Sequence, residues 1–210
     1  MFTEFKVIDD FLKLEHFNFL INLKLDQIKE EEIKVYNNAY FENGKIEKSC
    51  LDVNFINNLH KTYHEQVLKL LKELYPEKLN LWEYSEFHII ETGSKYKYPI
   101  HRDTPYKLLS GVIYLSPKVN KGTILYEDKK GTNEKVIDWK QNRALFFSRK
   151  ENNSFHSYEG DNISTRRALV YNLMTTKLRK ICKIEKINYP KVKIREILNP
   201  YIYRCFRKVL

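Results

Sequence analysis

The sequence is poor in the features that mark secreted and membrane-spanning proteins. Its three cysteines, Cys50, Cys182 and Cys205, are far apart, odd in number and absent from any CxxC pair. This pattern argues against a disulfide framework and against a structural zinc site. No apolar run approaches the ~20 residues that span a bilayer. The start, MFTEFKVIDDF, also lacks the basic and then apolar pattern of a signal peptide. We therefore expect a protein of the reducing cytoplasm.

Charge is present in excess, but it is unevenly placed. The 210 residues carry a net charge of +10, and residues 177–210 contain eleven basic and two acidic residues, so residues 1–176 are almost neutral. The length predicts one domain, and we divide it into a body over 1–176 and a basic extension over 177–210. A basic surplus is typical of proteins with anionic partners. The sequence contains no base-flipping or other nucleic-acid motif, so we do not expect a nucleic-acid substrate.

The chain order predicts helices first and strands afterwards. A strand over 5–8 and a helix over 11–23, capped by Asp9 or Asp10, precede a long helix that starts near Asn54 and stops before Pro76. The hydrophobic period then becomes two, which predicts short strands separated by turn residues. Such a pattern favours an α+β, mainly β fold, a sandwich or barrel with the helices covering one face. The predicted strands are 84–91, 108–115, 123–126, 135–138, 144–148 and 166–175.

A set of spaced polar residues suggests metal chemistry. His101 and Asp103 are two apart in an extended segment, so their side chains share a face. His156 follows 53 residues later, and Arg166 comes ten residues after it. Two histidines and one carboxylate form the facial triad of non-haem Fe(II) oxygenases. An arginine nearby suits the far carboxylate of a chelating 2-oxo acid, because guanidinium and carboxylate groups pair in a bidentate manner.

Several stretches between residues 84 and 175 carry a family resemblance. They are HRD at 101–103, GVIYLSP with Tyr114, GTILY, FHSY with His156, and STRRALVYNL with Arg166. With these motifs the sequence resembles the Fe(II)- and 2-oxoglutarate-dependent dioxygenases, on the branch that contains the prolyl hydroxylases. The resemblance implies a double-stranded β-helix (jelly-roll) core over 81–176, supported by N-terminal helices over 1–80.

The same resemblance implies the chemistry of the site. His101, Asp103 and His156 would bind Fe(II), while Arg166 and Tyr114 would hold 2-oxoglutarate, with O2 as the second cosubstrate. The reaction would hydroxylate a peptide or protein side chain, or a small molecule, and release succinate and CO2. The alternatives are a jelly-roll binding module with a vestigial metal site and a cupin-like metalloprotein that does not use 2-oxoglutarate.

Two departures from the family pattern leave questions open. Many members have Ser or Thr two residues after the arginine, where this chain has Ala168, and Lys121 replaces the first Gly of the family's Gly-Gly-x-Leu strand. Arg167 competes with Arg166, because the two lie on opposite faces of one strand. The spacing from His156 favours Arg166.

Other residues are weaker candidates. Lys107 and Thr123 could line the cosubstrate pocket, and we interpret His60 and His64, four apart on the long helix, as residues flanking its apolar face. Five aromatic residues surround the segment that leads to His101 and could form a substrate rim or simply pack. They are Trp82, Tyr84, Tyr96, Tyr98 and Tyr106.

The extension should end in a helix. Asn199 followed by Pro200 is a typical helix start, and an apolar stripe would follow at Tyr201, Ile202, Cys205, Phe206 and Val209. We interpret it as a closing helix that docks on the core. The alternative is a helix at an anionic membrane surface, or one that contacts an acidic partner. Neither the charge pattern nor the motifs indicate an oligomeric state.

Overall fold

The structure, a computed structural model, describes residues 2–206, apart from the side chains of Pro200 and residues 202–206. Four α-helices are described in this range: α1 (Leu14–Ile21), α2 (Val53–Leu74), α3 (Leu178–Ile184) and α4 (Tyr189–Phe206), with a 3-10 helix at Pro76–Leu81. The strands are β1 (Phe5–Ile8), β2 (Ile33–Tyr36), β3 (Ala39–Phe41), β4 (Ile46–Glu47), β5 (Tyr84–Thr92), β6 (Lys97–His101), β7 (Lys107–Ser116), β8 (Thr123–Tyr126), β9 (Glu134–Ile137), β10 (Ala144–Phe147), β11 (Phe155–Glu159) and β12 (Arg166–Met174).

The strands form two antiparallel sheets. The larger sheet has the order β1-β10-β7-β12-β5-β3-β4, with β2 also paired to β5, and the smaller sheet has the order β6-β11-β8-β9. From β5 to β12 the chain passes repeatedly between the two sheets. The predicted α+β, mainly β, jelly-roll-like fold is confirmed.

Alternation along β10 explains how the sheets and helices pack. Phe146 belongs to the core that includes α2, whereas its neighbours Leu145 and Phe147 pack with Leu125 and Ile137 of the smaller sheet. One face of the larger sheet therefore meets the helices and the other meets the smaller sheet. Buried members of the helix-side core include Leu20, Leu59, Val67, Leu71, Phe87, Ile89, Ile113 and Leu169.

The long helix begins and ends where the sequence predicts. Asp52 accepts a hydrogen bond from the backbone N–H of Phe55 at 2.9 Å, which caps the first turn, and α2 ends two residues before Pro76. The first helix is shorter than predicted, and the expected caps are wrong. Asp9 instead pairs with Arg143 at 2.6 Å, and Asp10 has a φ of 53°, so α1 starts only at Leu14.

The predicted start of the last helix is also wrong. Helix α4 begins at Tyr189, ten residues before Asn199, and continues through it. The reason is an earlier copy of the same signal: Asn188 accepts a hydrogen bond from the N–H of Lys191 at 3.0 Å, and Pro190 lies in the first turn. Of the predicted stripe, Tyr201 is exposed, while Val209 and the side chains of Ile202, Cys205 and Phe206 lie outside the described part.

The described part of the extension rests on the body. Leu178, Cys182 and Val192 form a small buried cluster with Tyr106. Cys50 and Cys182 are free thiols, and Cys205 is outside the described residues. Among the helices described, none combines the length and the apolar character that a bilayer span requires.

Candidate metal centre and a buried arginine

The smaller sheet brings the three predicted metal-binding residues together. His101, the last residue of β6, lies directly opposite His156 of β11 in the strand register, and their ring centroids are 4.2 Å apart. Asp103 follows two residues after β6, and its Oδ2 lies 4.0 Å from His156 Nε2. One nitrogen or oxygen atom from each of the three lies within 4.8 Å of the others. Among the described side chains, no other group of three or more His, Cys, Asp or Glu residues is arranged to share an ion.

Both imidazoles are oriented by backbone carbonyls. His101 Nδ1 lies 3.0 Å from the carbonyl oxygen of Pro99, and His156 Nδ1 lies 3.0 Å from that of Ser154. Because a carbonyl only accepts, Nδ1 of each ring carries the proton and donates it. The lone pair of each ring is then on Nε2, and a backbone carbonyl on the other nitrogen is the usual support for a metal-binding histidine.

The carboxylate of Asp103 is held from two sides. Lys107 Nζ lies 2.7 Å from Oδ1, and the hydroxyl of Ser110 donates to Oδ2 at 2.5 Å. Burial alone would raise the pKa of Asp103, but the Lys107 ammonium and the two imidazoles outweigh it and hold that pKa well below its usual value. The group is therefore ionised across the physiological pH range.

Burial also keeps the histidines neutral. Desolvation, reinforced by His156, lowers the pKa of His101 to about 3, and desolvation lowers the pKa of His156 as well. One carboxylate and two neutral imidazoles are the protonation states that bind a divalent ion.

Arg166 is a buried cation without a carboxylate partner. It is 5% exposed, and its guanidinium stacks on the ring of Tyr158 at 3.7 Å and lies near the rings of Tyr114 and Trp139 at 5.3 and 5.2 Å. Among residues 2–206, no carboxylate approaches it, and its Nε is buried without a hydrogen-bond partner. Desolvation lowers the pKa of Arg166, but its ordinary value is so high that the side chain stays charged. A buried charge of this kind needs an anion.

The guanidinium of Arg167 bonds to a carboxylate and to backbone carbonyls of the body. Its guanidinium pairs with Glu91 at 2.8 Å and donates to the carbonyls of Leu20, Ile21 and Leu23, at 3.0 to 3.1 Å. These carbonyls lie at the end of α1, where backbone acceptors lack helical partners. The two adjacent arginines thus differ: Arg167 has carboxylate and carbonyl partners, whereas no carboxylate of the described residues pairs with Arg166.

Tyr114 lies beside Arg166, but its hydroxyl is already bonded. It donates to Thr123 Oγ1 and accepts from the Thr123 N–H, both at 2.9 Å, and its ring stacks on Trp139 with centroids 4.5 Å apart. Of the two weaker candidates, Thr123 therefore supports Tyr114, and Lys107 contacts Asp103.

The similarity of this chain to known proteins lies in its fold. No model of a protein family and no curated protein sequence matches the chain. Solved structures do match in fold. A prolyl-4-hydroxylase from Pseudomonas putida is 14% identical, with 81% of this chain and 92% of that chain covered and a TM-score of 0.54. A Trichoplax adhaerens prolyl hydroxylase, in complex with a peptide fragment of the hypoxia inducible factor oxygen degradation domain, is 17% identical, with 84% and 86% covered and a TM-score of 0.57. A 2OG-Fe(II) oxygenase family oxidoreductase from Burkholderia pseudomallei is 13% identical, with 81% and 84% covered and a TM-score of 0.57. This chain shares their fold.

The predicted aromatic rim is only partly at the site. Tyr98 packs edge-on against His101 with centroids 4.4 Å apart, while Trp82 packs at a tilt against His64 and Tyr84 stacks on Phe41. Tyr96 lies near Tyr98, with centroids 6.2 Å apart. Tyr106 bonds to Glu196 of α4 instead.

His60 and His64 belong to an aromatic cluster that does not include the triad. Their rings are 4.2 Å apart and lie against Tyr40 and Trp82, and no third ligand joins them in the part of the chain that is described. Their position in this aromatic packing accounts for both histidines without an ion.

Sequence reasoning missed three residues that shape the site. Tyr158 and Trp139 enclose Arg166, and Ser110 holds Asp103. A signal existed for Tyr158, because it follows His156 by two residues on one strand and so projects to the same side. Trp139 and Ser110 carry no such signal.

Proposed function

We propose that the chain is an Fe(II)- and 2-oxoglutarate-dependent dioxygenase. It hydroxylates a peptide side chain or a small molecule and releases succinate and CO2. The observation that carries the proposal is the buried, unpaired cation of Arg166, enclosed by a residue of the strand that also holds His156. A triad alone suits many metalloproteins, whereas a buried guanidinium without a carboxylate calls for a dicarboxylate cosubstrate.

In this proposal His101, Asp103 and His156 hold the iron. Two imidazole nitrogens and one carboxylate are the donor set that non-haem Fe(II) oxygenases use. Pro99 and Ser154 fix the imidazoles through their carbonyls, and Lys107 and Ser110 keep the Asp103 carboxylate ionised and oriented. The bound iron and 2-oxoglutarate supply the activation of O2 that oxidises a C–H bond.

Arg166 would bind the far carboxylate of 2-oxoglutarate. Its Nε is buried and unpartnered, so a carboxylate there would satisfy a group that is otherwise costly. Tyr158 and Tyr114 would flank the cosubstrate and exclude water, which strengthens the ion pair. Because the Tyr114 hydroxyl already bonds to Thr123, we assign Tyr114 a packing role with at most an accepting contact.

The remaining assignments are finer parts of the same proposal. We place the double-stranded β-helix core at 81–176, its helical support at 1–80 and the basic extension at 177–210, in a cytoplasmic protein. The peptide bound by the Trichoplax adhaerens enzyme supports a peptide substrate for this chain.

The proposal is tested by ligand-dependent stability and turnover. We expect Fe(II) and 2-oxoglutarate together, under anaerobic conditions, to raise the Tm of the full chain by several degrees, since a ligand that binds only the native state stabilises it. In air the protein should form succinate, and His101→Ala should abolish this turnover while Arg166 still binds 2-oxoglutarate weakly. No Tm shift would favour a binding module, and a shift with iron alone would favour a cupin-like metalloprotein.

A further inference from the structure

A groove runs between α4 and the strands that carry the histidines. It has a volume of about 420 Å³, which is within the usual range for ligand sites. Its walls come from the end of β6, the start of β11, the β8–β9 and β10–β11 loops, and α4, and His101 of the triad is one of its lining residues. A molecule in the groove would therefore reach the proposed metal centre.

One side of the groove is apolar and open to solvent. Ile100 and Phe155 line it on the sheet side, and Ile194 and Leu198 line it from α4. Ile194 and Leu198 are four residues apart on the same helical face, and they are 59% and 43% exposed. Exposed apolar residues beside a site commonly mark a binding surface.

The groove is also basic, because its carboxylate is already neutralised. Glu151 contacts Arg102 at 3.0 Å and Arg195 at 2.9 Å, and it also pairs with Arg149. Arg102 and Arg195 of the groove thus share this one carboxylate, so the groove keeps a positive surplus.

Two lysines add cations that no carboxylate of the described residues neutralises. Lys129 and Lys191 line opposite sides of the groove, and no carboxylate in the described range pairs with either. Gly131 has a φ of 84°, a left-handed conformation that favours glycine, in the turn that carries Lys129.

We propose that this groove binds an acidic peptide segment that also carries apolar side chains. The proposal rests on the proposed function, because it makes the groove the part of the substrate site that selects the peptide. The alternation of apolar wall and flanking cations suits an extended chain with alternating side chains. A walled groove fits a peptide better than it fits a flat lipid surface. Among the described side chains that line the groove, the aromatic rings are those of Phe155, which Arg102 already covers, and His101, which packs against Tyr98 and His156, so none of them is a free stacking platform for bases.

The test uses three fluorescein-labelled peptides of equal length. They share a central proline and the same leucines, and the flanking residues are Asp, Ser or Lys. Binding to the full chain is followed by fluorescence polarisation without iron or 2-oxoglutarate. We expect the Asp peptide to bind roughly tenfold more tightly than the Lys peptide, with the Ser peptide between them.

Variants locate the binding to the groove. The double variant Lys129→Glu with Lys191→Glu should lower the affinity for the Asp peptide roughly tenfold, because attraction becomes repulsion. It should raise the affinity for the Lys peptide. The control is Lys61→Glu with Lys69→Glu, which makes the same charge change on exposed positions of α2 and should leave all affinities unchanged. Leu198→Ser should lower the affinity for all three peptides.

Equal binding of the Asp and Lys peptides would overturn the proposal, as would an equal effect of the control variant. An oligo-dT strand, or vesicles with phosphatidylserine, that bound more tightly than the Asp peptide through Lys129 and Lys191 would also overturn it. Failure here would leave 2-oxoglutarate turnover to succinate intact. Failure of the proposed function would abolish that turnover and leave the polarisation result in place.

Discussion

Arg166 and Arg149 are both enclosed arginines, at 5% and 0% exposure, but their surroundings differ. Arg149 pairs with the carboxylates of Glu151 and Glu185, and Glu185 also binds the fully buried Lys78 at 2.8 Å. Arg166 is flanked by the rings of Tyr158 and Trp139, and no carboxylate pairs with it within the described structure. The described residues therefore supply carboxylates for Arg149 and none for Arg166.

This difference separates stability from function. Removing one partner of a buried ion pair strongly destabilises the fold, because it leaves the other charge uncompensated. An isolated buried charge is itself costly until a counter-charge reaches it. The Arg149 cluster also connects the extension to the site. Glu185 follows α3, and Arg149 Nε donates to the backbone carbonyl of Asp103 at 3.3 Å. Residues after 176 thus hold the loop of a proposed metal ligand.

The largest effect should come from breaking the completed cluster. Arg149→Met leaves Glu151 and Glu185 short of a buried partner, so we expect the free energy of unfolding to fall by about 3–5 kcal/mol in urea titrations. The matched control is Arg143→Met, which removes an arginine whose partner Asp9 is 41% exposed and should cost at most about 1 kcal/mol. A loss below about 1 kcal/mol for Arg149→Met would mean that the cluster does not stabilise the fold.

Replacing Arg166 should have the opposite pattern of effects, with a large loss of ligand binding and a small change in stability. Arg166→Met should weaken 2-oxoglutarate binding by about 100-fold, since it removes the buried cation proposed to pair with the far carboxylate. Its free energy of unfolding should change by less than about 1 kcal/mol, because a desolvated charge disappears with few partners. Calorimetric titration with 2-oxoglutarate and urea unfolding measure the two quantities.

Arg167→Met is the adjacent control for that experiment. It should lower the free energy of unfolding by about 1–3 kcal/mol, since Glu91 and the α1 carbonyls lose their donor. Its affinity for 2-oxoglutarate should change less than about threefold, or under about 0.7 kcal/mol. If Arg167→Met weakened binding more than Arg166→Met, the roles of the two arginines would be exchanged.

The sequence predicts the long, regular elements of this fold well. Helix α2 and the strands β5, β7, β10 and β12 have clear apolar periods, and their observed bounds differ from the predicted ones by one residue or two. The strands β6 and β11 were not predicted, although they carry His101 and His156. Both are short and rich in polar and aromatic residues, so the side chains that serve the site obscure the period of two.

In the candidate site, too, the sequence predicts some features and not others. The spacing of His101, Asp103 and His156 predicts that they converge, because the pattern is local to two strand ends. The Arg149 cluster had no such signal, since Lys78, Arg149 and Glu185 lie 71 and 36 residues apart and meet only in the folded chain. Strand alternation likewise does not reveal which of Arg166 and Arg167 would bind 2-oxoglutarate, because the answer depends on the partners of each side chain in the folded chain.

The smallest predicted difference is in acid stability. Burial alone would raise the pKa of Glu151, but its hydrogen bonds with Arg195 and the charges of Arg149 and Arg102 outweigh this and lower it to about 2. The folded value lies below the ordinary 4.5, so the stabilisation by ionised Glu151 is complete above about pH 4.5 and is lost as the pH falls toward 2.

Over that range the Tm of the wild-type protein should fall more steeply than that of Glu151→Gln, by the linkage of at most one proton. Arg166→Met should keep the wild-type slope, because no carboxylate in the described structure pairs with Arg166. Parallel curves for the wild type and Glu151→Gln would show that the arginines around Glu151 repel one another as strongly as they bind it. The cluster would then resemble the Arg166 site, a set of cations awaiting an external anion, and the acidic peptide would be the candidate for that anion.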